Sequence, residues 1–259
     1  MPRLPLRVTA VQTASGPDTA ANLAAADALL PPPGAADLVV LPECFACRGT
    51  RETLRRESEP VGGPITRWLA GNAARLGCWM LGGSLPERDG KRIYNTSLLF
   101  DRRGHLRAVY RKIHLFHARL ADGTVVRESA CYAPGSQTCL ARIGSWRCGL
   151  SICFDLRFPE LYRGYAARGA ALLLIPADFT DETGRAHWEV LVRARAIENQ
   201  CFVVAPNQCG RNAQTGVASY GRSLIVDPWG RIMARGGTAP GRLAATLDPA
   251  LRSGNALGG

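Results

Sequence analysis

The feature that most constrains this chain is a set of short apolar runs that do not alternate. Residues 37–42 read Asp-Leu-Val-Val-Leu-Pro, apolar at every interior position. This suits a strand covered on both faces rather than one facing water. Residues 78–82 form another such run, and 171–176 read as a third strand. Helical segments lie between them. Residues 18–30 are Ala- and Leu-rich and end at three prolines; residues 66–76 place Trp68, Leu69 and Leu76 at helical spacing before Gly77, a stop signal. Residues 7–12 read as a first strand. The pairs 93–100 with 105–112, and 138–143 with 146–152, read as strands joined by tight turns. Pro159 can open a helix, and 186–198 carry Trp188, Leu191, Val192 and Ala196 on one side. Residues 201–206, 219–226 and 243–247 read as late strands, 119–135 as a polar loop, and 253–259 as a flexible tail. The pattern predicts an α/β fold with mixed sheets and helices on the outer faces. At 259 residues, one large domain over 1–259 is expected.

Charge and cysteine usage narrow the function. The net charge is +11, which raises nucleic-acid binding. Yet the basic residues are scattered, no run of five occurs, and all but Lys91 and Lys112 are Arg. The charge therefore reads as a solvated surface with some attraction for anionic substrates, and no nucleic-acid partner is expected. The longest apolar stretch, near residues 170–177, is too short to span a bilayer, and residues 1–12 hold no signal-peptide core. A cytoplasmic protein with no membrane partner is expected. Its nine cysteines are then reduced thiols. Cys44 and Cys47 form a C-x-x-C with no second pair at zinc spacing, and the four histidines add no ligand pattern, so no metal is expected. The pair reads as a redox motif or as two buried small hydrophobes. No phosphate-binding or dinucleotide-binding glycine motif is present, so no cofactor is expected. No serine-hydrolase elbow occurs either.

Three residues stand out by position. Along 146–153, Cys153 shares a face with Gly149 and Ser151, whose small size leaves room for a ligand. It lies where a strand turns toward a helix, a usual place for a nucleophile. Lys112 falls on the face of Leu106, Ala108 and Tyr110, where the pattern calls for a core residue, and a buried ammonium needs a partner. Glu43 ends the apolar run 37–42, where partial desolvation raises a carboxylate toward useful basicity. The readings that remain are a Glu–Lys–Cys centre, a Cys–His pair using His114 or His187, and buried or solvated residues without function.

The segments Leu41-Pro42-Glu43-Cys44-Phe45, Tyr110-Arg111-Lys112-Ile113-His114-Leu115 and the run from Leu150 through Cys153 to Leu161 resemble the three signature blocks of the nitrilase superfamily of carbon–nitrogen hydrolases. The runs 184–201 and 218–230 are similar too, so the resemblance covers about residues 8–247. It implies an αββα sandwich that pairs through outer helices into a four-layer homodimer. It implies Cys153 as nucleophile, Glu43 as general base, and Lys112 with the backbone N–H of Phe154 as oxyanion donors. Glu128, in Arg127-Glu128-Ser129, would orient Lys112. Arg157 and His114 would bind an anionic substrate, with Phe179 and Thr183 as the opposite wall. Within the superfamily the resemblance is closest to deaminated glutathione amidases and ω-amidases. It implies release of 2-oxoglutarate and cysteinylglycine from deaminated glutathione, a metabolite-repair reaction. An ω-amidase, nitrilase or N-carbamoyl amidohydrolase is the alternative within the superfamily, and an inactive scaffold or binding protein the alternative outside it. His117 and Asp178 depart from the family pattern; the second stands where small residues are common and would alter the pocket rim.

Overall fold

The non-alternating runs become the parallel strands at the centre of two sheets. The computed structural model describes residues 4–119, 123 and 125–253. Along the chain, β1 (Leu6–Gln12) leads to α1 (Thr19–Leu29), β2 (Leu38–Val40), α2 (Arg51–Glu57), α3 (Pro64–Leu76) and β3 (Trp79–Leu81). Next come β4 (Leu85–Asp89), β5 (Arg92–Phe100), β6 (Leu106–Arg111) and the small hairpin β7 (His117–Arg119) and β8 (Val125–Arg127). The second half holds β9 (Cys139–Ile143), β10 (Trp146–Leu150), α4 (Pro159–Ala167), β11 (Leu172–Leu174), the single turn α5 (Asp181–Thr183), α6 (Glu189–Asn199) and β12 (Phe202–Ala205). It closes with β13 (Cys209–Arg211), β14 (Ala218–Tyr220), β15 (Leu224–Val226), β16 (Ile232–Arg235), β17 (Gly241–Leu247) and the short α7 (Ala250–Ser253). Residues 254–259 of the expected tail, and 120–122 and 124 of the expected loop, lie outside the described residues.

One sheet has the order β17-β1-β2-β3-β5-β4, with β6 on β5; the other runs β16-β15-β12-β11-β10-β9. In each, three parallel strands form the middle: β1, β2 and β3, and β10, β11 and β12. Side-chain parity then builds the layers. Val39 and Met80 pack with Ile65, Leu69, Ala73 and Leu76 of α3. Leu38, Val40 and Leu81 point the other way, into a core shared with Leu172, Leu174 and Val204 of the second sheet and with Tyr162, Tyr165 and Val192 of α4 and α6. The result is the αββα sandwich that the sequence resemblance implies.

Local signals explain the helix ends. Asp18 caps α1, accepting from the Ala21 N–H at 3.0 Å. Pro64 opens α3, and Gly77 closes it in the left-handed region at φ 64°.

Three expectations are corrected. The loop 119–135 carries the hairpin β7–β8 and a 3₁₀ turn, Glu128–Ala130. The strand 219–226 is two strands in different sheets, because Gly221 (φ 67°) and Arg222 (φ 53°) turn the chain between them. The helix expected over 186–198 begins as a π-helical turn, Gly184–Trp188, before α6.

Candidate active site

Glu43, Lys112 and Cys153 leave the ends of strands from both sheets and meet in one cavity. Glu43 follows β2 by way of Leu41 and Pro42. That turn packs directly on Gly83, where a Cβ would stand 1.9 Å from the Pro42 carbonyl oxygen, so no other residue fits. The Glu43 carbonyl accepts from Gln208 Nε2 at 2.9 Å, tying it to the second sheet's side. Lys112 follows β6; its N–H donates to the Asn95 carbonyl at 2.9 Å. Cys153 follows β10, with its N–H on the Pro176 carbonyl at 2.8 Å. It opens a 3₁₀ turn, Cys153–Arg157, at φ 48°. A left-handed cysteine is strained, and here the strain lies at the strand-to-helix turn. Its neighbour Phe154 sits in the first turn of that helix, where an N–H has no intrahelical acceptor.

The charged centre is buried. Lys112 Nζ lies 2.8 Å from Glu43 Oε1 and 2.8 Å from Glu128 Oε2, and its side chain is 2% exposed. Asn95 Nδ2 donates to both carboxylates, at 2.8 and 2.9 Å. Glu128 also accepts from the Phe116 N–H at 2.7 Å. Burial raises the Glu43 pKa; Lys112 opposes this, while Glu128 and Asp178 add to it. Burial disfavours charge on Lys112, but Glu128 and Glu43 outweigh it and hold the ammonium well above its usual pKa. Burial and then Glu43 push the Cys153 thiol well up, against Lys112 and a hydrogen bond from the Asp178 N–H. The resting thiol is therefore protonated beside a carboxylate. A proton can pass from Sγ to Glu43 when an electrophile arrives, and the ammonium can receive negative charge on that electrophile.

The cavity holds about 330 Å³ and is lined by Glu43, Lys112, Glu128 and Cys153 together with Arg48, Asp178 and others. His114, Arg157, Phe179 and Thr183 are not in its lining. His114 Nδ1 lies 2.8 Å from the accepting Asp155 Oδ1, and the ring stacks on Phe158, centroids 3.6 Å apart. Arg157 lies over the Phe154 and Phe179 rings and 3.3 Å from His187 Nδ1. Phe179 packs against Trp188, and Thr183 bonds Thr180 at 2.8 Å; Thr180 is the one that lines the cavity. Nor do Gly149 and Ser151 leave room for a ligand. A Cβ on Gly149 would stand 2.4 Å from Tyr165, and the Tyr162 hydroxyl donates to Ser151 at 2.9 Å, so α4 fills that face.

Sequence reasoning did not single out Asn95, Arg48 or Asp155. Asp155 is fully buried. It accepts from Tyr110 Oη (2.7 Å), Ile152 N (2.8 Å) and His114 N (3.0 Å) as well as meeting the His114 ring. It thus fastens the Cys153 turn to the chain around Lys112. Burial pushes the Cys44 thiol well up and the Cys47 thiol up to about 12, which disfavours the thiolate that exchange uses. Among the described residues no group of three or more His, Cys, Asp or Glu side chains could hold a metal, and no helix is long and apolar enough to cross a membrane.

Residues 7–253 match the carbon–nitrogen hydrolase family. The chain is 41% identical to mouse deaminated glutathione amidase over 82% of its own length and 67% of that protein's. It is 37% identical to the deaminated glutathione amidase of Synechocystis, covering 95% of this chain and 92% of that one. Its fold matches the Caenorhabditis elegans NitFhit protein with a TM-score of 0.88 at 32% identity, over 98% of this chain. It spans 63% of that longer chain.

Proposed function

We infer, because this chain belongs to the carbon–nitrogen hydrolase family, that it is an amidase working through a thioester on Cys153. The observation that carries this reading is the Lys112 ammonium, clasped between Glu43 and Glu128 beside a buried thiol. Glu43 takes the thiol proton as Sγ attacks the amide carbon. The carbonyl oxygen becomes an oxyanion held by Lys112 Nζ and the Phe154 N–H. Glu43 then gives its proton to the leaving nitrogen, the C–N bond breaks, and an amine departs. Glu43 next takes a proton from water, whose hydroxide attacks the thioester; the acid leaves and the thiol is restored. Glu128 holds Lys112 in place without touching the reacting atoms.

Deaminated glutathione is the substrate we assign, on the names of the relatives above. The anionic character of that substrate suits Arg51 and Arg127, both exposed and in the cavity lining. Because the two sheets share one core, we read residues 1–259 as a single catalytic domain. We assign a homodimer on one exposed apolar face: Val190 and Ile197 of α6 are 68% and 45% exposed, and Trp229 in the β15–β16 turn is 46% exposed. Nine free thiols suit the cytoplasm.

The test is a substrate panel of deaminated glutathione, 2-oxoglutaramate, an aliphatic nitrile, an N-carbamoyl amino acid and glutathione. Cys153→Ala and Cys153→Ser run beside it. Deaminated glutathione should give the highest kcat/KM, and both variants should lose turnover, since a hydroxyl is too weak an acid for Glu43. A nitrile or carbamoyl preference keeps the centre and overturns the substrate. Turnover surviving in Cys153→Ala overturns the mechanism.

A further inference from the structure

Asp178 is the carboxylate of the cavity wall that amide hydrolysis leaves unused. It follows β11 past Pro176, lines the same cavity as Cys153, and its backbone N–H favours the Cys153 thiolate. One carboxylate oxygen accepts from the Ser219 hydroxyl. The other lies 3.6 Å from Arg48 Nε, with the Arg48 side chain 6% and the Asp178 side chain 19% exposed. Arg48 is committed to the protein: its two terminal nitrogens donate to the Cys209 and Val217 carbonyls at 3.3 and 3.4 Å. It neutralises Asp178, and one N–H on each of its terminal nitrogens is taken by the protein. Asp178 is not so committed. A carboxylate offers about four lone-pair sites, and these two contacts leave room for a donor from the cavity.

The charges along the lining are graded. Glu43, Glu128 and Asp178 set three carboxylates against the Lys112 and Arg48 cations at the nucleophile's end. Arg51 and Arg127 are the exposed cations of the same lining. A substrate carboxylate close to the reacting carbon meets like charge in a desolvated place, whereas an N–H there meets an acceptor.

We propose that Asp178 is a specificity-determining residue, whose carboxylate accepts a hydrogen bond from a substrate N–H beside the reacting carbon and turns away substrates that bring a carboxylate there. The substrate class is therefore an amide with a primary-amide, peptide-like or ammonium N–H near the scissile bond and its negative charge at the far end. This deepens the amidase reading and rests on it for the identity of the nucleophile.

Two alkylating reagents test it without a substrate. In iodoacetamide the methylene that the sulfur attacks, releasing iodide, is bonded to a carbonyl bearing N–H donors; in iodoacetate it is bonded to a carboxylate. The ratio of their rates at Cys153, followed by mass spectrometry, should strongly favour iodoacetamide in the wild type. Asp178→Asn should narrow that ratio about tenfold, the size of one hydrogen bond to a charged group. The double variant Arg48→Met/Asp178→Ala removes both charges together, so no buried guanidinium is left unpaired; it should narrow the ratio equally. A ratio unchanged within about twofold in both folded variants overturns the proposal. Amide turnover in the wild type with such a fixed ratio rejects Asp178 alone. A ratio that responds in a protein hydrolysing no amide supports Asp178 and rejects the amidase reading.

Discussion

Glu128→Gln removes one charge from a buried group of three, and the structure sets the size of the effect. Glu43 and Glu128 each place an oxygen on the same Asn95 nitrogen, at 2.8 and 2.9 Å, and both reach Lys112. Oxygens sharing one nitrogen stand about 4–5 Å apart, where like charges repel by about 3 kcal/mol at an effective dielectric near 20. That is about two pKa units on Glu43. Burial holds Glu43 above its usual range and Glu128 adds to the rise, so the variant lowers the Glu43 pKa. The base must be ionised to take the thiol proton, so rate is lost as pH falls through that pKa. The acid limb of kcat/KM should therefore move to lower pH by about one to two units. Lys112 loses the strongest of the carboxylates that hold its pKa up, so the alkaline limb should move down as well. Turnover at the optimum should fall about 10²-fold, because the new amide presents a donor to Asn95 or to the Phe116 N–H, both of which are themselves donors. Profiles of kcat/KM over about pH 4 to 10 test this. The rate of Cys153 alkylation by iodoacetamide over the same range gives the answer without a substrate. An acid limb that stays fixed or moves up would refute the reasoning.

Two further variants probe the supports of the centre. Lys112→Arg keeps the charge but replaces a point donor by a larger planar fork inside a site with no slack; kcat should fall roughly 10²–10³-fold, and activity within a few-fold of wild type would remove Lys112 from the centre. Asp155→Ala leaves the Tyr110 hydroxyl, two N–H groups and the His114 ring without their buried acceptor; it should cost about 3–5 kcal/mol and lower the calorimetric Tm by roughly 10 °C, whereas a loss under ~3 °C would show that these donors find other partners.

The fold was legible where its causes are local. The ends of α1 and α3 rest on Asp18, Pro64 and Gly77, each acting within one turn. The central strands announce themselves because burial on both faces leaves no polar position. The missed elements lack such causes. Helix α2 reads Arg-Glu-Thr-Leu-Arg-Arg-Glu and buries only Thr53 and Leu54; its N-terminal end is held by Thr50 and by Gln214, which is distant in sequence. Strands β13 and β16 are three and four residues long, too short for a period to show. The break between β14 and β15 turns on Gly221 at φ 67° and Arg222 at φ 53°, the second a conformation that sequence does not signal at an arginine.

The site was legible from the residues where a position marks itself. Glu43 and Lys112 do so by breaking a strand's pattern and Cys153 by its place before a turn toward a helix; the structure brings them into one cavity with Glu128, which the family resemblance marks. Asn95 does not: it lies in a strand where Asn95, Thr96 and Ser97 are all buried, so nothing local marks it, and its role comes from partners 52 and 33 residues away. Arg157 shows the opposite case, where nearness in sequence suggests a place at the cavity and geometry decides otherwise. A 3₁₀ helix turns about 120° per residue and eclipses positions three apart. Cys153 itself stands at φ 48°, outside the helical region, so the count begins at Phe154. Arg157 falls under Phe154, and its guanidinium indeed lies 5.7 Å from that ring's centroid. Arg157 lies over the Phe154 and Phe179 rings, and the charged groups that line the cavity, Glu43, Lys112, Glu128 and Asp178 among them, come from other segments of the chain.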